Sequence, residues 1–350
     1  MDKQRANSFM LKMVGDVATT MAASLVLLGS RLQLFEAMAG AGPLQPEALA
    51  QRAGIAPRYA EEWLAAMAGA GYVDYDPATG AFELPDEHAQ FLADRTSEYW
   101  LAGLFGGLPS MAGAIAQLEL AFRSGAGVGF AEYGAELPEA LAAMNRAVYN
   151  NRLVRSWLPA VPGVVDRMSA GGRAIDIGCG VGVVPIALAS AFPGATVAGL
   201  EPDAKSMALA RAAGQAAAVD VQWHEAGVEA LPTDPGWDFI STFDVVHDLP
   251  DPAGALARIR AALAPQGTYL MVEPKVSDAL HENFGNPFAR MLYGISCLHC
   301  VPQSLALGGP GLGACWGERR ARALAEQAGF GRFERLDIRS PAMAFYALGA

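Results

Sequence analysis

Residues 174–182 read Ala174-Ile175-Asp176-Ile177-Gly178-Cys179-Gly180-Val181-Gly182, a short apolar run carrying one acid and ending in three alternating glycines. The apolar part has the composition of a strand, and glycine is the residue that lets a backbone turn sharply and come close to a ligand. The following VPIALASAF (184–192) has helical character. A strand that ends in a glycine turn and opens a helix is where open α/β sheets bind ligands.

The same texture continues outward from this loop. RAIDIG (173–178), TVAGLE (196–201), VQWHEA (221–226), WDFISTF (237–243) and GTYLMVE (267–273) read as strands, separated by helical VPIALASAF, AKSMALARAAG (204–214) and PAGALARIRAAL (252–263). This alternation predicts a parallel sheet flanked by helices. The C-terminal FERLDIRSP (333–341) and AMAFYALGA (342–350) are expected to be two last strands, a hairpin closing one sheet edge.

The glycine loop argues against a dinucleotide, whose fingerprint is G-x-G-x-x-G with a pyrophosphate over the helix N-terminus. Here the third glycine, Gly182, comes one position early, and Asp176 would sit badly beside a pyrophosphate. An acid in that place suits a ligand with an ammonium and a sulfonium and no phosphate, such as S-adenosylmethionine. Glu201 ends the next strand about twenty residues on, where a carboxylate accepts ribose hydroxyls in related folds.

With D-I-G-C-G-V-G (176–182), G-L-E-P-D (199–203), WDFISTF and GTYLMVE in place, roughly half the chain resembles the class I S-adenosylmethionine-dependent methyltransferases. The resemblance implies a Rossmann-like seven-stranded α/β domain. It also implies that Asp176, Gly178, Gly180 and Gly182 hold the methionine end of the cofactor and Glu201 its ribose. The loop Ala226-Gly227-Val228 would then meet the adenine, and Cys179, Pro202, Val228, Phe243 and Asp244 would complete the contacts. Gly227 stands where many relatives carry an acid beside the adenine amine. Cys179 is expected to be a small filler and not a reactive thiol, since nothing near it in sequence supplies a base.

DFISTFDVVHDLPD (238–251) matches, without a gap, the segment of plant-type small-molecule O-methyltransferases that ends in a His-Asp pair. The resemblance gives His247 the role of general base, as imidazole chemistry allows near neutral pH. The plainer alternative is that His247 caps the next helix. Glu273 corresponds to a glutamate flanking that histidine, its alternatives being a helix cap or a surface ion pair. The family's second flanking glutamate falls on Cys315, which puts a phenolic substrate in doubt and favours an acceptor needing less help, such as a thiol, with an ordinary pKa of about 8.5. The stretch NPFARMLYGISCLHCVPQSLALGGPGLGACWGE (286–318) resembles a lid in a subgroup that includes thiol methyltransferases, with Gly308, Gly309, Gly311 and Gly313 as expected hinges. Cys297, His299, Cys300 and Cys315 suggest zinc, but only one Cys-x-x-Cys pair is present, so they are expected to line a pocket without metal. His299 is the second candidate base.

At 350 residues the chain suits two domains, expected as a helical, winged-helix-like unit over 1–168 for dimerisation and the substrate pocket, and a catalytic unit over 169–350 with a lid at about 275–316. Leu44 to Leu84 reads as helix, turn, helix and wing: LQPEALAQRAGI, APRYAEEWLAAMAGAGYV, a turn at Asp76–Gly80 and strand-like AFEL. DNA binding is disfavoured because acids outnumber arginines there and the whole chain carries a net charge of −11. The same charge disfavours an anionic membrane surface. A regulator that kept the fold without chemistry is the alternative function, and the acidic wing argues against it. The aromatics Tyr99, Trp100, Phe105, Phe130, Tyr133 and Tyr149 are expected mainly in the core. In the N-terminal segment, Val14, Val17, Met21, Leu25, Leu28, Leu32 and Phe35 recur at steps of three and four, as one apolar helix face does. Its stretch Met21–Leu28 is too short for a bilayer span and a poor secretory signal. An apolar first helix suggests a homodimer, and four sparse cysteines suit a reducing cytoplasm. The expected partner is a small-molecule substrate.

Overall fold

The structure is a computed structural model and describes residues 1–234 and 236–349. The chain divides into two compact units, one made of Met1–Leu108 with Ala143–Val148, the other of Pro109–Ala142 with Tyr149–Ala350. Compactness thus groups residues 109–142 and 149–168 with the sheet, whereas the sequence texture changes only near residue 169.

The first unit opens with α1 (Lys3–Arg31), whose N-terminus is capped by Asp2 accepting the Arg5 N–H at 3.1 Å. Gln33 takes a left-handed turn, φ +58°, into α2 (Leu34–Met38). α3 (Pro46–Ala53) and α4 (Pro57–Gly69) each begin with proline, which fits a helix's first turn, and Gly54 ends α3 in the left-handed conformation. The wing is β1 (Asp74–Asp76) paired antiparallel with β2 (Ala81–Glu83), Tyr75 opposite Phe82. Phe35, Leu49, Leu64 and Met67 form a core around Trp63, whose indole donates to the Leu25 carbonyl at 3.0 Å. The helix-turn-helix and wing therefore form where the sequence places them.

The apolar spacing over 14–35 is not one continuous buried face. Phe35 belongs to α2 and is buried, while Val14, Val17, Met21, Leu28 and Leu32 are exposed, as are Phe9, Met10, Leu11 and Met13. α1 is also far longer than Met21–Leu28: by length and composition it is long and apolar enough to cross a bilayer, and only 6% of its most apolar window is buried.

The second unit is built on a seven-stranded sheet, order β5-β4-β3-β6-β7-β9-β8. Its strands are β3 (Arg173–Ile177), β4 (Thr196–Leu200), β5 (Gln222–His224), β6 (Trp237–Phe243), β7 (Leu263–Pro274), β8 (Arg332–Arg335) and β9 (Met343–Gly349). β3 to β7 run parallel, and β9 lies antiparallel between β7 and β8, closing one edge as a hairpin. Ile175, Ile177, Ile240, Leu256, Ile259 and Tyr269 are among the fully buried residues that join sheet and helices. The chain leaves β3 toward β4 on one side and returns to β6 on the other, so the strand order reverses at β3. In such sheets that reversal opens a crevice at the carboxyl ends of the strands.

Candidate active site

β3 delivers Asp176 and the glycine loop to that crevice. Gly178 has φ +68°, and a Cβ there would lie 2.6 Å from Val245 Cγ2, so both the backbone and the space demand glycine. Gly180, φ +52°, has nothing within 4 Å of a built Cβ, which leaves an open cradle over the loop. Asp176 is buried and pairs in register with Ser241 on β6, whose hydroxyl donates to Oδ1 at 2.6 Å. Burial pushes its carboxyl up to about 8, the Ser241 hydrogen bond opposing and the nearby Glu201 charge adding to the rise.

Glu201 follows β4 and ties the loop together: Oε2 accepts the Gly180 N–H at 2.9 Å and Oε1 the Asp203 N–H at 2.9 Å. Burial raises it too, against these two backbone donors. Pro202 beside it is exposed. Cys179 is buried with Met207 and Ala210 against Trp223, and burial lifts its thiol far above the ordinary range, as befits a filler. Val228 begins a single turn, Val228–Ala230, after Gly227. The Glu229 carboxylate folds back over Gly227, so the loop does carry an acid, supplied two residues later than the sequence match places it.

β6 ends at Phe243, whose ring meets Tyr149 at 5.0 Å and stacks with Trp157 at 6.2 Å. Asp244 turns the chain with φ +57°, unusual outside glycine, and burial beside Glu273 pushes its carboxyl to about 7. The next turn, Val246–Asp248, carries His247, 2% exposed. Its Nδ1 lies 2.5 Å from Glu273 Oε2 on β7. The same glutamate accepts the Val246 N–H and the Trp316 indole N–H, each at 3.0 Å. The imidazole Nδ1, the Val246 N–H and the Trp316 indole N–H thus converge on Glu273, which fixes the orientation of the His247 ring. The helix Pro252–Ala262 is capped by Asp251 and not by His247, and Glu273, at 2% exposed, is no surface ion pair.

His247 Nε2 lies 3.4 Å from Asp248 Oδ1, and the Cys300 thiol sits beside both residues, its sulfur within 4.8 Å of a ligand atom of each. Burial alone would depress the imidazole, but Asp248 and Glu273 outweigh it and hold the basicity well above the ordinary value. Cys300 thus stands beside the histidine, with Cys315 near enough to feel its charge, and Trp316 occupies the flank of Glu273. Both thiols are pushed up to about 11, mainly by burial. Trp316 and Ser241 carried no signal in the sequence, because their partners lie 43 and 65 residues away.

Helix Pro287–Ile295 continues through a wide turn, Ser296–Cys300, into Val301–Ala306. Pro302 lacks the N–H that would bond the Leu298 carbonyl, which explains the local widening. The Tyr133 hydroxyl donates to that carbonyl at 2.6 Å instead. His299 packs edge-on against Tyr133 at 4.8 Å, and burial with the His247 charge drives its pKa down to about 4. Cys297 is exposed and lines a cleft of about 410 Å³ with Phe122, Tyr293, Val301 and Leu305, so the Cys-x-x-Cys pair faces two ways. Among the expected hinges, Gly309 and Gly313 are packed tightly against Leu249 and Ser296. Of the aromatics, Tyr133 and Tyr149 are buried, whereas Tyr99 is half exposed.

A family described as "Methyltransferase domain" matches residues 148–330, and one described as "Rv2258c-like winged HTH domain" matches residues 20–94. The chain belongs to this methyltransferase-domain family. The ubiquinone biosynthesis O-methyltransferases of Bordetella bronchiseptica and Bordetella avium are 34% and 30% identical over 122 and 119 residues, which is 34% and 33% of this chain and 48% and 47% of theirs. The chain thus spans about half the length of the curated relatives it matches. Human N-acetylserotonin methyltransferase, solved with S-adenosylmethionine, is similar over 97% of this chain and 98% of its own at 16% identity and a TM-score of 0.70. A mitomycin 7-O-methyltransferase structure covers 99% and 100% at 23% identity and a TM-score of 0.66. The family is that of the methyltransferase domain, and the fold is shared with S-adenosylmethionine-dependent O-methyltransferase structures, with a winged helix-turn-helix ahead of the sheet.

Proposed function

We propose that this protein methylates a hydroxyl or thiol of a small molecule using S-adenosylmethionine, with His247 as general base. The observation that carries the proposal is the buried His247–Glu273 pair, one turn beyond β6 and at the same sheet end as the acid-lined glycine loop. The loop fits the cofactor: Gly180 leaves open space over the backbone, Asp176 offers a carboxylate for an ammonium, and Glu201 keeps lone pairs for ribose hydroxyls. Gly178, Cys179, Gly180 and Gly182 frame the methionine end, Pro202 flanks the ribose, and Val228 with Glu229 meets the adenine. Phe243 and Asp244 close the methionine side. Bound there, the cofactor supplies an electrophilic methyl group on a sulfonium.

His247 accepts the acceptor's proton at Nε2 while Nδ1–H stays on Glu273, so the imidazolium that forms is held between Glu273 and Asp248. Cys315, standing where the family's second flanking glutamate is expected, leaves the pocket less acidic and supports a thiol acceptor alongside a hydroxyl. Residues 169–350 form the catalytic domain with its lid, and residues 1–168 serve dimerisation and the substrate pocket. A second copy of the chain covers α1, nucleic acid and membrane are not partners, and the protein works in the cytoplasm.

Calorimetric titration with S-adenosylmethionine and its demethylated product, then turnover on a panel of thiols, phenols and amines, tests the proposal. Binding with thiol or phenol turnover is expected; binding of neither cofactor form would overturn it.

A further inference from the structure

We infer that His247 Nε2, Asp248 Oδ1 and Cys300 Sγ form a three-ligand site for a thiophilic divalent cation, Zn²⁺ in the first instance. All three ligand atoms lie within 4.8 Å of one another. Tetrahedral zinc with bonds of about 2.0–2.3 Å to nitrogen, oxygen and sulfur sets its ligands somewhat under 4 Å apart, so closure asks for shifts of about an ångström. The ring is already oriented for coordination, since Glu273 holds Nδ1 at 2.5 Å and Nε2 faces Asp248, where a cation can replace the Nε2 proton. A histidine whose other nitrogen is tied to a buried carboxylate is the common arrangement behind a metal ligand. Glu273 is itself steadied by the Val246 N–H and the Trp316 indole, which gives the ligand a fixed orientation.

Asp248 Oδ1 is the second observation. It is buried, receives no hydrogen bond from nitrogen or oxygen, and sits 3.4 Å from His247 Nε2. Its one charged neighbour there, the imidazole, is too far for a good hydrogen bond, and a cation between the two would satisfy both. Cys300 supplies the soft ligand that separates zinc from magnesium or calcium. Its position follows from the wide turn Ser296–Cys300, which turns Cys300 inward while Cys297 faces the outer cleft. The site therefore uses one cysteine of the Cys-x-x-Cys pair, joined to residues more than 50 positions away.

Three protein ligands leave one place in a four-coordinate shell for water or an incoming thiolate. On binding, the Cys300 thiol proton and the proton on His247 Nε2 leave to solvent, and the Asp248 and Cys300 anions balance the charge of the cation. The Nε2 lone pair cannot hold both a metal and a proton, so the loaded protein no longer uses His247 as a base. That consequence rests on the proposed methyltransfer; the binding does not.

The test uses the full-length protein, stripped with chelator and titrated with Co²⁺. One equivalent should produce a thiolate-to-cobalt charge-transfer band with the visible bands of a tetrahedral site, and Zn²⁺ should bleach both. Cys300→Ser should abolish the charge-transfer band, whereas Cys297→Ser and Cys315→Ser keep it. Glu273→Gln should weaken binding about 10- to 100-fold, as loss of such a supporting partner does. Absence of a saturable band at one equivalent, or its loss in Cys297→Ser instead, would overturn the site. Should Cys300→Ser fail to fold, X-ray absorption on the zinc-loaded wild type decides: one sulfur at about 2.3 Å with nitrogen and oxygen at about 2.0–2.2 Å supports it, and a shell without sulfur refutes it. Loss of the band in His247→Gln with turnover unchanged would keep the metal site and discard His247 as the base.

Discussion

Asp176 shows how one residue serves both stability and binding. Its carboxyl rests near 8 in the folded protein, above the value of about 3.9 for an unfolded chain, so burial favours the protonated form. The stability this gives is fully present below about 4 and is lost as pH rises toward 8. Asp176→Asn should therefore melt higher than the wild type at pH 8, with the difference vanishing near pH 4, as differential scanning calorimetry will read. The same change should weaken S-adenosylmethionine about 10- to 100-fold, the worth of one hydrogen bond to a charged group. Pairing needs an ionised Asp176 and a protonated α-amino group, which titrates at about 7.7–8.0. Cofactor affinity should then peak near pH 8, with a proton released below it and taken up above it, measurable from calorimetry in buffers of different ionisation enthalpy. His247→Ala should slow turnover by about 10²- to 10⁴-fold and leave cofactor affinity nearly unchanged. A turnover loss below tenfold would remove His247 from the mechanism.

At the scale of elements, the strand ends place the chemistry. Asp176 lies near the end of β3, Glu201 and His247 come from the turns after β4 and β6, and parallel register brings all three to the carboxyl ends of the strands. The turn at Gly178 is the tightest joint in this arrangement. Gly178→Ala pays about 1–2 kcal/mol for the left-handed backbone alone, before the contact with Val245. Chemical denaturation should register at least that loss, with cofactor affinity falling alongside. These strand–turn positions were legible from sequence because glycine spacing and alternating texture are local properties. Glu229 over Gly227 and Cys300 beside His247 were not, because a side chain's reach depends on the fold of the loop that carries it. Counting back from Ala328-Gly329-Phe330 put Cys315 at the flanking position; the wide turn before Pro302 brings Cys300 to the histidine as well.

At the scale of the whole molecule, α1 carries a long exposed apolar surface that includes Phe9, Leu11, Val14, Val17 and Met21. Exposed apolar residues gathered on one helix mark a surface that another copy of the chain or a bilayer would cover. Light scattering should give the mass of a dimer, and Val17→Asp with Met21→Asp should shift it to a monomer without changing the circular dichroism of the core. A wild-type monomer that partitions onto neutral lipid vesicles would instead assign α1 to a bilayer.

The chain's own order of residues determined the parallel sheet, the closing hairpin, the winged helix-turn-helix and the acidic glycine loop. Each rests on periodicity or on glycine and proline placed within a few neighbours. Only the tertiary structure decided which groups meet: Ser241 with Asp176, Trp316 with Glu273, and Cys300 with His247 and Asp248. Those meetings join residues tens of positions apart. Their geometry is set by strand register and loop path, and by where burial leaves a polar atom to find its partner.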